Sequence, residues 1–123
     1  VNLGSYIGIP FRQHGRGPTY YDCWGFVRLI YKNELGITLP DYEYGLKDQW
    51  EALRLETGQP TWTRTNEPLP TDVVLLVAQA NPHVGIYLSE HRMLHLPEHG
   101  TSCIESLDAP RWRSRVEAYY RYG

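Results

Sequence analysis

Cys23, His83 and His95 are the residues of this chain whose types and settings suit covalent catalysis. Cys23 stands in Asp22-Cys23-Trp24-Gly25. There a polar, glycine-bearing loop, Arg12-Gln13-His14-Gly15-Arg16-Gly17-Pro18, meets apolar residues at helical spacing, Phe26, Val27, Ile30 and Tyr31. With Asp22 as N-cap, Cys23 takes the first helical position. Unpaired backbone N–H groups and the positive end of the helix dipole favour a thiolate there, and the thiolate is the nucleophile. His83 follows the turn signal of Asn81-Pro82 into the apolar run Val84-Gly85-Ile86-Tyr87-Leu88, and His95 lies in Arg92-Met93-Leu94-His95-Leu96. If these two strands are neighbours, both imidazoles project from one sheet face toward the helix of Cys23. His83 then accepts the thiol proton and later protonates a leaving amine, while His95 binds its other ring nitrogen and sets the tautomer. On these residues alone a buried structural cysteine stays open as the alternative, because cysteine is also a common small core residue.

The elements that must position these groups follow from periodicity and breakers. A short helix is expected through Ile7, before Pro10, and the Cys23 helix runs to about residue 35, where Gly36 stops it. A turn region at 41–45 precedes a second helix at 49–56, with Trp50, Leu53 and Arg54 at helical spacing and Gly58-Gln59-Pro60 ending it. Residues 61–71, with Pro68 and Pro70, read as a polar linker. Strands are expected at 72–77, 83–89, 92–96 and 101–107, joined by turns short enough for antiparallel pairing, and a last strand at 116–122. Between them Asp108-Ala109-Pro110 could start a short helical turn with Asp108 as cap. The fold class is α+β: helices packed on one face of an antiparallel sheet of about five to six strands. Residues 1–123 form a single domain with no internal repeat.

The motifs around the three residues resemble a known family. Gly8-Ile9-Pro10-Phe11, Gly15 and Asp22-Cys23-Trp24-Gly25-Phe26-Val27 resemble the signature of NlpC/P60 cysteine peptidases. His83-Val84-Gly85-Ile86-Tyr87-Leu88 looks like their histidine motif, and His95 has the spacing of their third polar residue. Trp24, where cell-wall members usually carry serine, resembles the branch encoded by tailed bacteriophages. So do Gly36-Ile37-Thr38-Leu39-Pro40-Asp41-Tyr42 and Pro110-Arg111-Trp112-Arg113. The resemblance implies a papain-like fold and hydrolysis of peptidoglycan stem peptides, typically at a γ-D-glutamyl bond to diaminopimelate or lysine. It makes Cys23 the nucleophile, His83 the base and His95 the orienting residue. Its phage branch implies a place at the virion tail tip, with other tail-tip proteins as partners, synthesis in the host cytoplasm and action on the cell wall. Phe11 departs from the family pattern, in which a tyrosine hydroxyl helps to bind the oxyanion. The backbone N–H of Cys23 remains as a donor, with Gln13 or His14 as candidates for a second. A tail-tip assembly or plug protein with weak or no turnover is the alternative that Phe11 favours, and an acyltransferase or amidase using the same dyad is a third. Tyr21 and Trp24, next to Cys23, are the aromatics expected to line the substrate groove.

Composition bounds these readings. A hydrophobic content of 41% with 13% aromatics supports a folded core. A net charge of −2 with no long basic block argues against nucleic acid as a partner. Arg111, Arg113, Arg115 and Arg121 near the end read as a solvated face. No run approaches the roughly 18 apolar residues of a membrane span, and Val1-Asn2-Leu3-Gly4 lacks the pattern of a signal peptide. Cys23 and Cys103 do not form a disulfide framework, and Cys103, with no histidine beside it in sequence, reads as a buried thiol. His91, His95 and His99 recur at helical spacing, but Pro97 breaks any helix, so His91 and His99 belong in turns. A zinc site from Cys23, His83 and His95 has suitable ligand types without a close ligand pair in sequence, and no metal or other cofactor is expected.

Overall fold

The computed structural model describes residues 3–41, 62–77 and 82–123. The expected helix at 49–56, with Trp50, Leu53 and Arg54, lies outside the described residues. The short N-terminal helix is a 3-10 helix, Gly4–Tyr6, that ends at Ile7. Helix α1, Cys23–Ile30, continues as a single π-helical turn, Tyr31–Leu35, and ends where Gly36 adopts a left-handed φ of 67°.

Asp22 starts α1. Its Oδ1 accepts the Gly25 N–H at 2.7 Å, and its Oδ2 pairs with Arg16 at 2.6 Å, tying the preceding loop to the helix. Gly25 has no side chain for a reason. A Cβ there would strike the carbonyl oxygen of Gly15, so only glycine lets the loop close over the first turn. Asp22→Ala is expected to cost about 1 kcal/mol from the cap alone. The melting temperature should fall by about 4 °C or more in thermal unfolding. An unchanged value would show that the loop, not the cap, holds the helix start.

Six strands form one sheet: β1 (Trp62–Thr65), β2 (Val73–Val77), β3 (Pro82–Tyr87), β4 (Arg92–His95), β5 (Cys103–Ser106) and β6 (Val116–Tyr122). The order is β1-β6-β2-β3-β4-β5, with every neighbouring pair antiparallel. Two expectations need correction. Trp62–Thr65, placed in a polar linker, is an edge strand against β6. It forms because Trp62 is fully buried, with its ring 6.5 Å from that of Trp24 and 5.2 Å from that of Tyr122. Residues 107–115 are turns and one bend with no regular helix. The Trp112 and Arg113 N–H groups both reach the Ala109 carbonyl, at 2.8 and 2.9 Å, in a single helical turn, but Asp108 pairs with His91 at 2.8 Å and does not cap it.

Both sheet faces are covered, so β2 is apolar on both sides and reads as a continuous hydrophobic run. One face carries Val73, Leu75, Val84, Ile86 and Leu94 against Phe26, Val27 and Ile30 of α1. Burying each of those helix side chains contributes about 1.5–3 kcal/mol. On the other face Val74, Leu76 and Met93 pack with Leu107 and Trp112 from the turn region.

Candidate active site

The register of β3 and β4 brings the two histidines together. Gly85 lies opposite His95, and His83 sits two residues before Gly85, on the same face. Gly85 suits this approach, since a Cβ there would come within 3.1 Å of both His95 Cβ and Met93 Sδ and would make them give way by a few tenths of an ångström. His83 Nε2 and His95 Nδ1 are 2.7 Å apart, and His95 Nε2 is 2.7 Å from Glu105 Oε1 on β5. Glu105 Oε2 accepts the indole N–H of Trp112 at 3.1 Å. The Trp112 ring stacks on His83 at 5.6 Å and meets His95 edge-on at 5.3 Å. Four side chains from three strands and a turn thus form one braced array.

Chemistry gives this array a direction. Burial pushes the His95 pKa down despite Glu105, leaving a neutral imidazole. Burial alone would raise the Glu105 carboxyl, but hydrogen bonds from His95 and Trp112 hold it below the usual range, as a carboxylate. A carboxylate only accepts, so His95 must donate through Nε2–H. Its Nδ1 then accepts from His83 Nε2–H, and the lone pair of His83 is left on Nδ1. That is the protonation state required of a general base.

Cys23 approaches this base differently from the sequence expectation. The histidines do share a face, but α1 packs on the opposite one, with Val84, Ile86 and Leu94. His83 and His95 alternate with those residues and stand beside Trp112. The thiol instead meets the backbone of Val84, the residue after His83, through a hydrogen bond, and a second comes from the Trp24 backbone. None of the polar links of the histidine array extends to Cys23 Sγ. The backbone N–H of Cys23 is bonded to no acceptor among the described residues.

The helix N-terminus does not leave the thiol acidic. Burial, then the charge of Asp22, push Cys23 up to about 12, and the Val84 and Trp24 backbone bonds and Arg16 only partly offset them. With 1% of its surface exposed, the group behaves as a neutral thiol. His83 is lowered to about 3, first by burial and then by His95 and Arg111. At neutral pH the resting pair is therefore thiol and imidazole, not thiolate and imidazolium. An ordinary thiol reaches its full alkylation rate near its own pKa, whereas Cys23 should keep gaining about tenfold per pH unit beyond pH 9. Iodoacetamide labelling of Cys23 between pH 7 and 10.5, read by mass spectrometry, checks this. A plateau below pH 8 would contradict it.

The remaining expected site residues separate. Trp24 is fully buried and donates its indole N–H to the Pro40 carbonyl at 3.0 Å, as a core group. Its place in the core is set by Trp62, which a reading of local sequence cannot supply. Tyr21 lines a surface cavity with Arg16, Arg28 and Leu29 that includes none of Cys23, His83 and His95. Phe11 is half-buried, edge-on to His99 at 6.1 Å, with its N–H on the Gly100 carbonyl. Gln13 and His14 are exposed, His14 with a left-handed φ of 61°. Glu105 and Trp112 were not singled out from sequence as site residues. The strand alternation Cys103-Ile104-Glu105 after His95 was the signal for the first. Cys103 is also not isolated from histidine, since it lies directly opposite His95 across β4 and β5.

Comparison with known proteins agrees with this fold. The Murein DD-endopeptidase MepS/Murein LD-carboxypeptidase of Escherichia coli K12 is 24% identical over 108 residues, 88% of this chain and 53% of that protein. The γ-DL-glutamyl hydrolase of Bacillus subtilis 168 is 26% identical over 122 residues, 96% of this chain and 27% of that protein. The chain thus spans about half the length of the first relative, 53%, and a smaller share, 27%, of the second. The crystal structure of an NlpC/P60 family protein from Bacillus cereus ATCC 10987 superimposes with a TM-score of 0.71 at 21% identity, covering 95% of this chain and 36% of that one. The NlpC/P60 family pattern matches residues 8–121, nearly the whole sequence, and the chain belongs to that family.

Proposed function

We propose that this chain is a cysteine endopeptidase that hydrolyses amide bonds of peptidoglycan stem peptides, of the type joining γ-D-glutamate to diaminopimelate or lysine. The observation that carries this reading is the directed His83–His95–Glu105 array, together with a cysteine at the first position of a helix whose thiol meets the backbone of Val84, the residue after His83. The peptidoglycan and glutamyl hydrolases among its relatives support the substrate class.

In this mechanism Cys23 Sγ attacks the amide carbonyl as His83 Nδ1 takes the thiol proton. Because the resting pair is neutral, proton transfer accompanies attack. Charge on the carbonyl oxygen is met by the Cys23 N–H at the helix N-terminus. His83 returns the proton to the leaving amine, and water then hydrolyses the thioester with His83 again as base. His95 and Glu105 touch no reacting atom in this scheme and keep the lone pair of His83 on Nδ1.

The protein acts, in the same proposal, at the tail tip of a phage beside other tail-tip proteins, after synthesis in the host cytoplasm, and opens the host wall locally. Trp24 and the Pro110-Arg111-Trp112-Arg113 run are the residues that support this placement. A second reading, a tail-tip plug with weak or no turnover, is favoured by Phe11 and by the near-complete burial of Cys23. Digestion of purified peptidoglycan, with products weighed by mass spectrometry, separates the two. New stem-peptide fragments support the endopeptidase and identify its bond. No release from folded protein whose Cys23 can be alkylated supports the plug.

A further inference from the structure

We propose that His95, Cys103 and Glu105 form a binding site for a divalent metal ion of the zinc class, and that filling it switches the base of the peptidase off. The switching half rests on the endopeptidase reading above; the metal site does not. His95 Nε2, Cys103 Sγ and Glu105 Oε1 all lie within 4.8 Å of one another. Cys103 Sγ is 3.8 Å from both His95 Nε2 and Glu105 Oε1. The third edge, His95 to Glu105, is 2.7 Å. A tetrahedral zinc ion with bonds of about 2.0–2.3 Å keeps its ligand atoms roughly 3.2–3.8 Å apart. The two sulfur edges already have that length. The third opens by about half an ångström once the ion replaces the proton that His95 shares with Glu105.

The donor types also select the metal. One imidazole, one thiolate and one carboxylate suit zinc and its neighbours, not calcium or magnesium. Strand pairing completes the set: Cys103 is the cross-strand partner of His95, and Glu105 lies two residues on from Cys103, on the same face. His95 is fully buried, while Cys103 and Glu105 are partly exposed. Solvent therefore reaches one side, giving the ion an entry and a water for its fourth position. Trp112 holds Glu105 Oε2, leaving Oε1 for the metal. Arg111 Nη1, 3.9 Å from Oε1, is the competing cation, and its side chain is more than half exposed, so it can swing away.

The consequence follows from proton placement. Metal on His95 Nε2 displaces the proton there, and neutral imidazole must then carry its proton on Nδ1. That N–H points at His83 Nε2, which must accept it, so the proton of His83 moves to Nδ1. The atom that should take the thiol proton of Cys23 then carries one already. The two rings keep two protons throughout, and the thiol proton of Cys103 leaves to solvent as its sulfur binds the ion.

Titrating zinc sulfate into the Cys23→Ala protein by calorimetry removes the active-site thiol as a competing ligand. One ion per chain should bind. Adding Cys103→Ala, or the more conservative Cys103→Ser if the first fails to fold, should weaken binding at least thirtyfold. Cobalt should give a thiolate charge-transfer band that the double variant lacks. Unchanged affinity without Cys103 would overturn the site. In peptidoglycan digestion, zinc should inhibit the wild type and a chelator should restore it. The Cys103→Ala enzyme should keep its basal rate and need at least tenfold more zinc. Equal inhibition of that variant would overturn the switch while leaving the metal site standing. Absence of any cleavage would count against the endopeptidase reading and the switch with it, and the calorimetry would still decide the site.

Discussion

Cys23→Ala is expected to reduce peptidoglycan cleavage to background, a loss on the order of 10⁶-fold if the remaining site behaves as in other nucleophile deletions. The substitution deletes the only atom that forms the acyl intermediate. It leaves Asp22 on the Gly25 N–H and the histidine array bonded as before, because no link of that array includes Cys23. The melting temperature should therefore stay within about 4 °C of wild type. Digestion and thermal unfolding of the same sample measure both. Residual cleavage within tenfold of wild type would remove Cys23 from the mechanism, and loss of folding would make it a core residue.

A graded series along the array has the next largest effects. His83→Ala should lower kcat/KM by about 10⁴-fold, because proton transfer to and from the substrate is lost. His95→Ala should cost about 10²–10³-fold, because His83 survives as a base but its tautomer is no longer imposed. Glu105→Gln should cost about tenfold, since the amide oxygen can still accept from His95 while the negative charge is gone. The loss should fall on kcat, with KM little changed, if His95 and Glu105 act by orienting His83 and not by holding substrate. Kinetics of the three variants on one purified stem peptide test the order. Equal losses at His83 and His95 would overturn the division of roles, and a Glu105→Gln loss as large as that of His83→Ala would make the carboxylate essential to proton transfer itself.

Local signals carried much of the fold. The N-cap Asp22, the glycine stop at residue 36 and the apolar runs of β2, β3, β4 and β6 are short-range features, and each lies within a few residues of its expected bounds. Trp62–Thr65 was not legible as a strand, because its threonines and arginine read as linker until Tyr122 and Trp24 provide a surface for Trp62. Trp24 misled for the same reason. Its nearness to Cys23 in sequence suggested a groove, while its indole is spent on the Pro40 carbonyl inside the core.

By itself the sequence determined the class of the protein, the order of its motifs and the identity of its candidate nucleophile and histidines. Those depend on residue type, on spacing within one element and on a family pattern spanning residues 8–121. Tertiary structure alone decided what those residues can do to one another. Strand register set the His83–His95 contact, placed Glu105 behind it and put Cys103 across from His95. Packing decided that Cys23 is held as a neutral thiol despite its helix position, because desolvation of a charge in a closed core outweighs a helix dipole and two backbone donors.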